Sequence, residues 1–224
     1  MSWNGGVFLK MNLESSKVEV AMESKQVLKS KPRRTKKLEV RKMAIVGVLA
    51  AISIMLSMTP LGFIPIGPTN ATIMHIPVII GAVLEGPLVG IIVGLIFGFT
   101  SLLRAITMPT ITNFALINPL VSILPRVLIG IVAYYVYKLT IKLTKNALVS
   151  GWITGVIGSL VNTVGVLGMT YILYGARYAE ALGKSASAAK TLILTLVATN
   201  GVPEAILGGF VVSAICVVFN KRKR

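Results

Sequence analysis

Apolar residues fall into long runs separated by short polar breaks. The runs cover Met43 to Thr59, Ile73 to Leu84, Leu88 to Leu103, roughly Asn118 to Tyr137, Ala147 to Tyr174, and a last stretch between Leu192 and Phe219. A bilayer crossing needs about 20 apolar residues, or about 30 Å of helix. The run 73–84 is short for this and on its own suggests a re-entrant segment. Counting it predicts six spans, and omitting it predicts five. The pattern divides the chain into a polar extension over 1–42, a membrane domain over 43–219 and a short basic end over 220–224.

Composition turns that pattern into a membrane assignment. Of 224 residues 54% are apolar and only 13% charged, about half the usual charged share of a soluble domain, and the mean hydropathy is +0.82. The 23 Lys and Arg face 7 acidic residues, all Glu. Eleven of the basic residues precede Met43 and four more are the terminal Lys221-Arg222-Lys223-Arg224. A net charge of +16 fits nucleic acid or an anionic membrane surface, and its confinement to the flanks of an apolar middle favours the membrane. The extension carries the run Lys29 to Lys37 and is predicted to be a disordered cytoplasmic tail. It holds no apolar signal-peptide core, and Met11 and Met22 are alternative starts.

Charge asymmetry orients the spans. With six crossings and both termini cytoplasmic, 18 basic residues lie inside, four (Arg104, Arg177, Lys184, Lys190) outside, and Arg126 within the membrane. Five crossings would place one basic terminus outside. The predicted fold is therefore an all-α bundle of six transmembrane helices. The loop Pro60 to Thr72 is rich in Pro and Gly yet apolar, which predicts an ordered non-helical lid. Gly175 to Ser187 reads as a longer outer loop. Residues 186–199 read as a helical stretch, after which Asn200-Gly201-Val202-Pro203 starts or kinks the last helix.

Small residues mark close helix contacts in lipid. Gly90, Gly94 and Gly98 recur every four residues, Gly151, Gly155, Gly158, Asn162 and Gly165 share a face, and Gly47 pairs with Ala51, with Ala50 beside them. These stripes serve packing within the bundle or against another chain. Intramembrane polar groups point to function. Arg126 costs about 2.5–3.5 kcal/mol on insertion scales and needs a partner, either a structural ion pair with Glu204 or a ligand carboxylate or phosphate. Asn118 caps the fourth span or meets ligand, Asn162 bonds a ligand or a neighbouring helix, and Asn200 is a cap or a site residue. Arg104 snorkels to the interface or captures an anion, and His75 is a satisfied polar residue or a ligand contact. One Cys (Cys216), one His and no Asp leave no metal site, no disulfide and little acid–base chemistry. Gly183-Lys184-Ser185 lacks the upstream glycine of a phosphate-binding loop, and Asn70-Ala71-Thr72 is a sequon relevant only to a secretory pathway.

The segments Ile64 to Ala82, Glu85-Gly86-Pro87-Leu88-Val89-Gly90, Gly98-Phe-Thr-Ser-Leu-Leu-Arg104 and Asn118-Pro-Leu-Val-Ser-Ile-Leu-Pro-Arg126-Val-Leu-Ile-Gly130 resemble S components of energy-coupling factor (ECF) vitamin importers. The resemblance covers about residues 43–219. It implies a six-helix subunit of the bacterial plasma membrane that binds one vitamin from outside, with the loop between helices one and two as gate. It also implies partners, namely a shared energy-coupling membrane subunit and two ATPases, with no cofactor, no nucleic acid and no hydrolysis by the chain itself. Gly47-xxx-Ala51 stands where the family carries an Ala-xxx-Ala docking motif, with Ala50 the next choice. The pattern with His75, Arg104 and the Asn-Pro/Pro-Arg span looks most like the pantothenate group, with cobalamin and folate relatives as alternatives. Arg104 or Arg126 would then take the carboxylate, with Asn70, His75, Asn118, Asn162, Asn200 and Glu204 the other candidate contacts. A stand-alone secondary transporter is a second reading, though only Glu204 offers an intramembrane acid and no repeat is evident.

Overall fold

A computed structural model describes the backbone of residues 13–23, 33–66 and 69–221, and side chains at 13–23, 40–62 and 72–220. Met1–Met43 and Ala44–Arg224 form two separate units. Residues 13–23 are helical (α1), and α2 runs Arg33–Met58, starting ten residues before Met43. Part of the extension predicted to lack structure is therefore helical. The chain holds no Gly or Pro between residues 7 and 31, and Lys, Arg, Leu and Glu are good helix formers.

Beyond α2, a 3₁₀ turn over Pro60–Gly62 leads into a hairpin of β1, Phe63–Ile66, and β2, Thr69–Thr72. The strands pair antiparallel with Phe63 opposite Thr72, and Ile73 N–H closes the base on Gly62 O at 3.1 Å. The rest is helical: α3 Ile76–Glu85, α4 Pro87–Thr107, a 3₁₀ segment Asn113–Ile117, α5 Pro119–Ser122, α6 Leu124–Thr144, α7 Ala147–Ala181, a 3₁₀ turn Ala186–Ala188 and α8 Ala189–Lys221. The segment expected to be non-helical thus forms, at its described residues, a 3₁₀ turn and two paired strands.

Proline and glycine set the boundaries. Pro87 and Pro119 open α4 and α5 at positions where no helical N–H is needed. Gly86, at φ +103°, both ends α3 and precedes α4, a backbone conformation that glycine adopts without strain. Asn146 accepts from Leu148 N–H at 2.9 Å and caps α7.

Among the described residues, five helices are long and apolar enough to cross a membrane: Val40–Met58, Pro87–Thr107, Pro119–Thr144, Ala147–Ala181 and Ala186–Asn220. The sixth expected span, α3, has 10 residues, or about 15 Å of helix, half the hydrocarbon thickness. Every residue from Ile76 to Ala82 is nonetheless buried, so α3 is a core element. Val78 and Ile79 join Val93, Phe97, Ile129, Ala133 and Val212 in one apolar cluster.

Two sequence boundaries are corrected. Gly175 to Ser187 is mostly not a loop, because α7 continues to Ala181 across a kink at Tyr174 (φ −139°, ψ 16°). Residues 186–199 and the last span are one helix, with Pro203 inside it. Proline lacks the N–H for the Thr199 carbonyl, but a helix packed against neighbours tolerates that loss, and α8 packs along α7 over much of its length.

The glycine stripes pack inside the bundle. Gly90 on α4 meets Gly130 on α6, Gly155 on α7 meets Gly208 and Gly209 on α8, and Gly158 lies under Ile79. A Cβ on Gly90 would stand 2.6 Å from Ala82 Cβ and 2.9 Å from Gly130 Cα, whereas one on Gly168 would meet nothing within 4 Å. Gly90→Ala is expected to destabilise by about 1–3 kcal/mol through overpacking. Gly168→Ala should be neutral or stabilising by up to about 1 kcal/mol through helix propensity. Thermal unfolding of both variants in detergent checks this.

Candidate functional site

Where the ends of α2, α4, α6 and the hairpin converge, the bundle encloses a cavity of about 660 Å³. This is the size range of small-molecule sites. Ser57 of α2, Thr72 and Met74 beside the hairpin, Phe97, Ser101 and Arg104 of α4, Arg126 of α6 and Asn162 of α7 line it. The segment linking α4 to α5 supplies Met108, Thr110, Thr112, Asn113 and Leu116. Among these lining residues two are arginines and none is acidic, so the cavity suits an anionic solute.

The position of Arg126 follows from the local sequence. Pro125 has no N–H, which leaves the Val121 carbonyl without its helical partner. Arg126 Nη1 donates to that carbonyl at 2.8 Å, and the guanidinium stacks over the Phe97 ring at 5.3 Å, a favourable arrangement away from water. Arg126 is 5% exposed. Its Nε has no hydrogen-bond partner, and neither do Ser57 Oγ and Asn162 Oδ1. Buried polar atoms are rarely left unsatisfied. All three atoms belong to residues that line one cavity, which marks that cavity as the place for a ligand's polar groups.

Among the described residues Glu204 makes no direct ion pair with Arg126. Glu204 Oε1 accepts from Thr72 N–H at 2.9 Å and from Thr72 Oγ1 at 2.7 Å, and Oε2 accepts from Thr163 Oγ1 at 2.8 Å. The carboxylate ties β2 to α7 and α8 and does not line the cavity. His75 is fully buried and also lies off the cavity walls. Ser159 directs its single hydroxyl proton to Gly155 O at 2.8 Å. His75 Nε2 shares a hydrogen bond with Ser159 Oγ at 2.8 Å, and Nδ1 is left without a partner.

Asn118 caps α5, its Oδ1 accepting from Leu120 N–H at 3.0 Å, and its Nδ2 donates to Tyr174 OH at 3.1 Å. Asn200 lies within α8, not at a helix start, and is absent from the cavity walls. The side chain of Asn70 lies outside the described residues. Arg104 and Asn162 line the cavity. Of the candidate docking residues, Gly47 and Ala51 share the exposed face of α2, whereas Ala50 is buried on the other side.

Sequence reasoning missed Ser57, Thr72, Ser101, Thr110, Thr112 and Asn113. A faint signal existed: Ser53 and Ser57, spaced i and i+4 in an otherwise apolar helix, are both buried. Asn113 braces the α4–α5 segment, accepting from Thr110 N–H at 2.6 Å and donating to Met108 O at 2.9 Å. Phe114 packs edge-on to Tyr174 at 5.8 Å and lies under the Arg177 guanidinium at 4.6 Å, which pins that segment to the kinked end of α7.

Residues 41–216 match the model of the ECF transporter, substrate-specific component family. The chain is 28% identical over 204 residues to the pantothenic acid transporter PanT of Lactococcus lactis subsp. cremoris, covering 84% of this chain and 98% of that protein. It is 29% identical over 164 residues to the pantothenate transporter PanT of Leuconostoc mesenteroides subsp. mesenteroides, covering 69% of this chain and 79% of that protein.

Removing an unpartnered buried polar atom costs the fold little, because no internal bond is lost. Ser57→Ala and Asn162→Leu are expected to keep folding stability within about 1 kcal/mol of the parent, measured by thermal unfolding of the protein without ligand. A large loss in either would mean that these atoms hold the bundle together.

Proposed function

Because the chain belongs to the substrate-specific components of ECF transporters, a family of multi-pass membrane transport proteins and not enzymes, we propose that it captures pantothenate from outside a bacterial cell. It then delivers the vitamin through a shared energy-coupling membrane subunit driven by two ATPases. The observation that carries this reading is the cavity with two arginines and three unpartnered buried polar atoms. Pantothenate offers one carboxylate, one amide and two hydroxyls. The Arg126 guanidinium would take the carboxylate and the Asn162 side chain the amide or a hydroxyl, with Ser57, Ser101 and Thr72 within the same walls. The two relatives named for pantothenate transport support the choice over a bulkier cobalamin or folate.

The same reading takes the cavity mouth as extracellular and both termini as cytoplasmic. Support comes from the basic flanks, with α3 and the turn before it completing a sixth, shortened crossing within the bundle. Gly47 and Ala51 would form the docking stripe for the energy-coupling subunit. A Cβ added at Gly47 meets nothing within 4 Å, so the isolated subunit has no packing reason to keep a glycine there.

The purified chain is expected to bind labelled pantothenate in the absence of ATP. Arg126→Met should weaken binding about ten- to a hundredfold, the worth of one charged hydrogen bond. Binding of folate or cobalamin with none of pantothenate would refute the assignment. Gly47→Leu and Ala51→Leu should leave binding within about twofold and abolish uptake by cells carrying the partner subunits. Uptake by vesicles containing this chain alone would instead favour a self-sufficient transporter.

A further inference from the structure

The hairpin over 63–72 borders the cavity through Thr72, and its second strand packs on α8. The polar bonds at that junction converge on one residue. Glu204 takes both the backbone N–H and the hydroxyl of Thr72 on one oxygen and the Thr163 hydroxyl on the other. Thr163 follows the cavity residue Asn162 and packs its methyl against Gly201. Glu204 itself follows Pro203, where α8 lacks one ladder bond. The carboxylate is 4% exposed, has all three bonds within the protein and is not on the cavity wall. It has no means of touching a solute in the cavity, yet it fixes the strand that borders it.

We propose that Glu204 is a positioning residue that anchors the base of the hairpin beside the cavity through Thr72 and thereby sets how often the cavity opens to the outside. This rests on the hairpin acting as the gate of the substrate site proposed above. In the sequence Glu204 looks like a ligand contact or the partner of Arg126. The geometry makes it a hinge-side clasp instead.

The test reads gate opening directly. In a Cys216→Ala background, Ser101→Cys places a single thiol on the cavity wall, and a membrane-impermeant maleimide applied from outside reports access to it without any vitamin. Glu204→Leu should raise the labelling rate at least tenfold and Thr163→Val at least threefold. Glu204→Gln should stay within threefold of the parent. Its oxygen still accepts from Thr72, and its amide can donate to Thr163 Oγ1, whose proton then goes to Ser159 O, 3.2 Å away. A folded Glu204→Leu protein that labels at the parent rate overturns the latch. If that variant does not accumulate, a parent-like rate in Thr163→Val overturns it. A purely structural role would lower the melting temperature of Glu204→Leu and leave the labelling rate unchanged. Protection of the thiol by pantothenate is a separate readout: its failure would count against the substrate assignment and leave the latch standing.

Discussion

In an apolar bundle surrounded by lipid, a polar group has no water to fall back on, so it must be satisfied by another part of the chain or by a ligand. That constraint sorts the polar residues of this protein. The Val121 carbonyl, orphaned by Pro125, is taken by Arg126. The Glu204 carboxylate is filled by two threonines. Ser159 links His75 to the Gly155 carbonyl. Three of the buried side-chain atoms left over, on Ser57, Arg126 and Asn162, belong to residues that line one cavity. The fourth, His75 Nδ1, sits in the core beside α3.

Glycine supplies the complementary constraint, on distance. Where α4 crosses α6 at Gly90 and Gly130 the backbones touch, which brings Arg126 within stacking reach of Phe97. Where α7 crosses α8 at Gly155 and Gly208, the same close approach carries Thr163 to Glu204. The tightly packed body of the bundle thus holds the charged groups at fixed positions. The cavity is bordered at its mouth by less regular pieces, the hairpin and the segment 108–118. Each of these is tied down by a few named bonds: Thr72 to Glu204 for one, Asn113, Phe114 and Asn118 for the other. Such an arrangement suits a subunit that must bind a solute firmly and still admit it.

Much of this was legible in the sequence. The long apolar runs correspond to the long helices. The glycine stripes are contact lines, and Arg104, Arg126 and Asn162 line the cavity. Local rules failed where tertiary packing overrode them. Gly175 reads as the start of a loop and Pro203 as a helix start or kink, yet helix resumes after the kink at Tyr174 and α8 runs through Pro203, because α7 and α8 pack against each other and absorb the lost propensity. Ser57 and Ser101 escaped notice because a hydroxyl in a helix ordinarily bonds its own backbone, as Thr100 does with Ile96 at 2.5 Å.

By itself the sequence determined that the protein lives in a membrane, which flanks are basic, where its helices approach closely, and that a lone arginine must be held in its middle. These follow from composition and short spacing, which need no knowledge of the other helices. Only the tertiary structure decided that Glu204 serves Thr72 and not Arg126, that Asn118 is a cap, and that Ala50 faces inward while Gly47 and Ala51 face out. Thr72 and Glu204 are 132 residues apart in the chain, and whether two such groups meet depends on how each helix is rotated about its axis. That rotation is set by the packing of all the helices together.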